Sequence, residues 1–289
     1  MRYLWVALLS LLLAVASCGP MSNAESGEFD GQRAYQDILA QCEFGPRPPG
    51  SLALQETGNY IIASLTKVGW EVETQEFELR GVPLRNIIAR KGTGPVVILG
   101  AHYDTRPYAD NDAVNKNQSI LGANDGASGV AVLLELARVL DIEKTRYQVW
   151  LAFFDAEDSG NLNGWPWSVG ATHMAETLTV PVEFVVVVDM VGDADQQICR
   201  EQYSDVALQD RIFRIAADLG YEQYFISKCM LGVIDDHWPF LMKGIPAVDL
   251  IDFQYPYWHA SQDTADKVSP DSLERVGRTL EVLLEENEK

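Results

Sequence analysis

The chain has 289 residues, a formal net charge of −20, 47% hydrophobic and 10% aromatic residues. That length and apolar content suffice for one large core and exclude a disordered chain. The acidic balance argues against a nucleic-acid partner or adhesion to anionic lipid, both of which need basic patches, and it leaves many carboxylates available as hard metal ligands.

The first segment reads as a removable leader. One positive charge in Met1-Arg2-Tyr3 precedes an apolar run from Leu4 to Ala16, broken only by Ser10. The run is too short to span a bilayer and has the shape of a signal peptide. It ends Val15-Ala16-Ser17-Cys18, which resembles a bacterial lipobox. The resemblance implies cleavage before Cys18 and lipid on its thiol. The expected division is a signal peptide over 1–17, a lipidated Cys18 with a flexible tether to residue 29, and one catalytic domain over 30–289. The protein is then exported and held to the cell envelope by its lipid, its only expected membrane contact.

A helix is predicted near 31–42. The stretch Phe44 to Gly50 carries three prolines and cannot be regular structure. A second helix runs from Leu52 to Val68 and stops at Gly69. Strands follow over 72–79 and 84–89, joined by a Gly-Val-Pro turn, and then the wholly apolar Val96–Gly100. An amphipathic helix covers 130–140, with its N-terminal end near Asp125. Apolar strands are predicted over 148–154, 184–188 and 246–251, with a helix over 206–219. Ser269-Pro270-Asp271 opens a last helix, Ser269 as its cap and Pro270 in its first turn. Apolar strands alternating with amphipathic helices indicate a single α/β domain, its sheet covered on both faces. Without Cys18, three cysteines remain, so at most one internal disulfide forms. Cys199 and Cys229 can pair in an oxidising compartment, but sequence alone does not establish it. The lack of a CxxC pair argues against cysteine-held zinc.

Polar residues recur directly after the apolar strands. His102-Tyr103-Asp104 follows the third, Asp155 to Asp158 the fourth, Asp189 the fifth, and Trp258-His259 lies in the loop after the last. Asp125 joins them from the loop before a helix. In open α/β sheets the C-terminal strand edge forms the ligand crevice. Imidazole and carboxylate without thiolate suit catalytic zinc. Each residue alone has a plain structural explanation as a core histidine, a cap or a solvated turn; the weight lies in their joint placement. His173, in a predicted helix, reads as structural, and His237 as a residue that orients its neighbours.

The strings FGPRPPGS, GAHYDTRP, GANDGASGVAVLLELAR, FFDAED, VVDM, DDHWPFL, GIP, and WH followed by DT together resemble the M28 zinc-peptidase family from about Cys42 to the C-terminus. Within that family the chain looks most like the glutaminyl-peptide cyclotransferases. The resemblance implies a mostly parallel mixed sheet flanked by helices. It implies zinc held by Asp125, Asp158 and His259, with Glu157 as general acid and base and Asp189 and Asp235 assisting it. Trp165, Trp167 and Trp258 would bind substrate. The expected substrate is a peptide or protein with N-terminal glutamine, converted to pyroglutamate with loss of ammonia by a monomeric enzyme carrying one zinc per chain. The alternative is an M28 aminopeptidase with two zinc ions, the second held with His102 and Asp189. Asp158 stands where animal cyclases have glutamate, and Asp249 where they have histidine, so the details of their pockets do not transfer directly.

Overall fold

A computed structural model describes residues 27–285. The expected signal segment, the lipid attachment at Cys18 and most of the tether lie outside these residues. Phe29, the last residue of the expected tether, is buried, and its ring covers Gly277, where a Cβ would lie 2.2 Å from a ring carbon. The packed domain therefore starts by that residue.

Eight strands and seven α-helices are described: α1 (Gly31–Glu43), α2 (Leu52–Lys67), β1 (Glu71–Leu79), β2 (Val82–Lys91), β3 (Val96–His102), α3 (Ala127–Val139), β4 (Gln148–Phe154), α4 (Val169–Thr177), β5 (Val182–Asp189), β6 (Ile198–Glu201), α5 (Val206–Asp218), β7 (Phe225–Leu231), α6 (Trp238–Met242), β8 (Ala247–Ile251) and α7 (Pro270–Glu285). The main sheet has the order β1-β2-β4-β3-β5-β8. β1 and β2 form an antiparallel hairpin and β2 pairs antiparallel with β4, whereas β4, β3, β5 and β8 are parallel. This is the α/β domain that the strand and helix pattern predicts, with the mostly parallel mixed sheet that the family resemblance implies.

The central strands have no polar face because both sides are covered. Val97, Leu99, Val149, Leu151, Phe153, Val186, Val188, Val248 and Leu250 belong to a large core that includes residues of α1, α2, α3, α5 and α7. Their alternates, among them Ile98, Trp150, Phe154, Val185 and Val187, form a smaller core with Met174 of α4 and Phe240 of α6. The period of two divides each apolar run between two cores.

One local expectation needs correction, and one pair of strands was missed. The hairpin turns on Arg80-Gly81, both at positive φ (55° and 80°), and Val82 and Pro83 already belong to β2. Pro83 is tolerated because β4 pairs with β2 only from Ile87 to Lys91. The parallel pair β6–β7 was not predicted, since β6 has only four residues and β7 reads partly polar. The Cys199–Cys229 disulfide ties these two strands together, and Cys42 is free.

Candidate active site

The four parallel strands are neighbours, so their C-terminal ends share one edge. Past that edge lies a cavity of ≈ 400 Å³ lined by Asp125, Glu157, Asp158, Trp167, Asp189, Asp235, Trp258 and His259, with Met190, Ile251 and Phe253 among its apolar walls. His102 is buried behind Asp125 and Asp189. The expected site residues therefore converge, with one exception. Trp165 lies in a separate groove with Pro48, Pro49, Pro107 and Tyr108. Its backbone closes the turn Asn161–Trp165, and its side chain packs on the cluster of Leu84, Ala156 and Val169. The turn is built on left-handed Asn161 and Asn163, and it sends this ring away from the cavity while Trp167 enters.

Sharp backbone turns bring the polar groups inward at the strand ends. Ala156, just before Glu157, has φ 59°, Met190, just after Asp189, 46°, and His259 itself 53°. Non-glycine residues rarely adopt this region, and their concentration at one site is typical of function. Gly126, at φ 97°, lets Asp125 approach β3; a Cβ there would lie 2.5 Å from the Asp104 carbonyl oxygen.

Two overlapping groups of ligand atoms result. In the first, His259 Nε2 lies 2.8 Å from Asp158 Oδ1 and 3.7 Å from Asp125 Oδ2. In the second, His102 Nε2 lies 3.2 Å from Asp125 Oδ1 and 3.1 Å from Asp189 Oδ1. Asp125 is shared, one oxygen facing each group. A tetrahedral zinc with bonds of about 2.0–2.1 Å sets its ligand atoms about 3.3 Å apart, so both spacings fit. Asp158 Oδ2 is buried without a hydrogen-bond partner, and no lysine lines the cavity to offset its carboxylates. The donor set therefore fits a divalent cation, with Asp125, Asp158 and His259 as one complete trio.

Burial pushes the Glu157 carboxyl well above its ordinary value, and the nearby Asp235 charge adds to the rise. Burial likewise lifts Asp189 to about 7, opposed by His102, and Asp158 to about 6, with Asp125 as the main like charge. A bound cation would draw its ligand carboxylates back toward ionisation. Glu157 stands outside both trios, so its carboxyl is not taken up as a ligand and is available for acid–base work.

Several supports were not singled out from sequence. Asp104 accepts hydrogen bonds from the backbone N–H groups of Glu157 (3.0 Å) and Asp158 (3.2 Å). Asp263 accepts from those of Asn124 (2.9 Å) and Asp125 (3.1 Å). Both aspartates lie within the motifs GAHYDTRP and DT, where their signal was present but indistinct from that of their neighbours. His237 is fully buried between Glu201 Oε2 (3.3 Å) and Asp249 Oδ2 (3.8 Å), outside the cavity. His173 stacks on Phe77 with ring centroids 4.1 Å apart. Both placements suit the structural parts expected of them.

The model of "Peptidase family M28" matches residues 86–284. A glutaminyl-peptide cyclotransferase of Drosophila melanogaster is 28% identical, covering 83% of this chain and 78% of its own. The crystal structure of Bacteroides thetaiotaomicron glutaminyl cyclase bound to N-acetylhistamine superposes with a TM-score of 0.85 at 31% identity, covering 91% of this chain and all of that one. A leucine aminopeptidase precursor from the same organism gives 0.85 at 31% identity, covering 92% of this chain and all of that one. Fold, shared strand edge and family match agree: the chain belongs to peptidase family M28 and is related to its glutaminyl cyclases.

Proposed function

We propose that the protein is a glutaminyl-peptide cyclotransferase, which closes the N-terminal glutamine of a peptide or protein to pyroglutamate and releases ammonia. The observation that carries this reading is the cavity itself. A raised, buried Glu157 faces the same space as a carboxylate–histidine trio and the rings of Trp167 and Trp258. The likeness to glutaminyl cyclases supports it.

Asp125, Asp158 and His259 would hold one zinc, which supplies Lewis-acid polarisation of the γ-amide carbonyl when bound. Glu157 accepts a proton from the α-ammonium and frees its lone pair. The amine forms a bond to the side-chain carbonyl carbon, Cδ, the bond from that carbon to the amide nitrogen breaks as Glu157 returns the proton to the departing nitrogen, and the second proton of the attacking nitrogen passes through Glu157 to the ammonia, which leaves a lactam N–H. Asp189 and Asp235 line the same cavity and offer hydrogen-bond partners to the moving proton and the leaving group. Both reacting groups belong to one residue, so binding need only fold the side chain back, which suits an aromatic slot. Apolar walls from Trp258, Ile251 and Phe253 exclude the water that would hydrolyse the amide.

The second trio, His102, Asp125 and Asp189, favours one other reading, a two-zinc aminopeptidase. One test separates the two. The zinc-loaded protein is incubated with a peptide beginning in Gln and one beginning in Leu, and the products are weighed by mass spectrometry. Loss of one ammonia from the first alone, with one zinc per chain, supports the cyclase. Loss of the first residue from either peptide, with two zinc ions, supports the peptidase. The lipobox-like sequence supports an exported, envelope-anchored protein, which labelling of Cys18 with a fatty-acid analogue would test.

A further inference from the structure

Arg106, only 4% exposed, has a guanidinium that meets three separate parts of the site. Its Nε and Nη2 donate to the two carboxylate oxygens of Asp110, each at 2.7 Å. Its Nη1 donates to the backbone carbonyls of Asp158 and Gly160, each at 3.0 Å. The plane lies over the Trp167 ring, with Cζ 5.0 Å from the centroid. Asp110 Oδ1 is in turn 3.6 Å from Nδ1 of His259, whose Nε2 faces the cation trio. The Trp167 ring also stacks against His259, with planes 13° apart.

We propose that Arg106 is a positioning residue that couples the cation site to the aromatic wall of the substrate pocket. Two of the three ligands of the first trio, Asp158 and His259, and the ring that faces the substrate are all referred to one side chain. Arg106 suits this task because its planar fork fixes two donors on Asp110 while a third nitrogen reaches the carbonyls and the face remains open for the indole. The negative Asp110 beside Nδ1 favours the tautomer with the proton on that nitrogen, which leaves the Nε2 lone pair for a cation. Partners of this kind, one shell out from the ligands, commonly set metal affinity within 10–100-fold. A lysine ammonium carries the same charge but cannot hold this fork and present a plane to Trp167 at the same time.

The substrate half of the proposal rests on the cyclase reading; the cation half does not. The test uses the full chain with Arg106→Lys, Arg106→Met and Asp110→Asn. Zinc affinity is measured by competition with a chromophoric chelator, and KM and kcat for a glutaminyl peptide at saturating zinc. We expect zinc to bind roughly 10–100-fold more weakly in both Arg106 variants and about tenfold more weakly in Asp110→Asn. KM should rise several-fold in Arg106→Lys even with zinc saturating, which a role in stability alone would not produce. Folded variants with zinc affinity and KM within twofold of the parent would overturn the proposal. Weaker zinc with an unchanged KM would overturn the coupling. Should Arg106→Met not fold, Arg106→Lys and the half-exposed Asp110→Asn decide the question. A parent protein that binds zinc but makes no pyroglutamate removes the cyclase reading and leaves the zinc measurements decisive for Arg106.

Discussion

His259 Nε2 sits 2.8 Å from Asp158 Oδ1, although the two residues arrive on loops that follow different strands. The contact brings an imidazole and a carboxylate, both almost fully buried, into the spacing of two ligands on one cation. Chelation should therefore abolish activity, and zinc should restore it. A ligand present at 100 times its Kd stabilises the native state by about 2.7 kcal/mol, so chelated protein should also melt lower. An unchanged melting temperature after verified zinc removal would speak against the trio as a metal site.

Glu157 faces the trio without belonging to it. Glu157→Gln keeps the shape and removes the base. Turnover should fall by roughly 10²–10⁴-fold, the usual contribution of a positioned acid–base group, with zinc content unchanged. Loss of zinc from this variant would assign Glu157 to the metal rather than to the proton.

Trp165 and Trp167 are two residues apart and have different surroundings. Trp167→Ala should lower kcat/KM at least about tenfold, equal to about 1.4 kcal/mol. Trp165→Ala should leave KM unchanged and lower only thermal stability, since that ring packs on Leu84, Ala156 and Val169. The reverse pattern, measured by steady-state kinetics and melting curves, would mean that the cavity wall is wrongly drawn.

Asp155 offers a pH test. Burial, with help from the Asp104 charge, lifts its carboxyl to about 8, while Oδ2 accepts a hydrogen bond from the Arg85 N–H at 2.9 Å. The native state thus holds a proton that the unfolded chain releases near its ordinary value of about 3.9. This contribution to stability is fully present below about pH 4 and is lost progressively as the pH rises to about 8. Asp155→Asn cannot ionise and should match the parent near pH 4 and exceed it at pH 8 in urea midpoint. A constant difference between the two across that range would exclude this titration.

The Cys199–Cys229 bridge closes a segment with a sequence separation of 30. β7 leads directly into Gly232 to Asp235, which form one side of the cavity. Replacing both cysteines with serine should cost about 2–4 kcal/mol of stability. It should also raise KM, because this wall loses its tie to β6. A variant with parental KM would show that the wall is held by other contacts, such as the hydrogen bond from the Val233 N–H to Glu201 Oε1 at 3.2 Å.

The reactive edge was legible in the sequence because burial on two faces writes itself as uninterrupted apolar runs. A polar residue straight after such a run, as with Asp155 after Phe154 or within the run's last step as with Asp189, must leave the sheet at its C-terminal end. Chain order alone therefore determined which residues could meet. Tertiary structure decided how they meet. Loop side chains follow dihedral angles rather than periodicity, so the left-handed turns at Asn161 and Asn163 separated Trp165 from Trp167 without a pattern that marks one of them. Arg106 lies within GAHYDTRP, but nothing there marked it off from its neighbours either. Its contacts to Asp158, Gly160 and Trp167 exist only once strands β3 and β4 lie side by side, and that register is set by the packing of both cores.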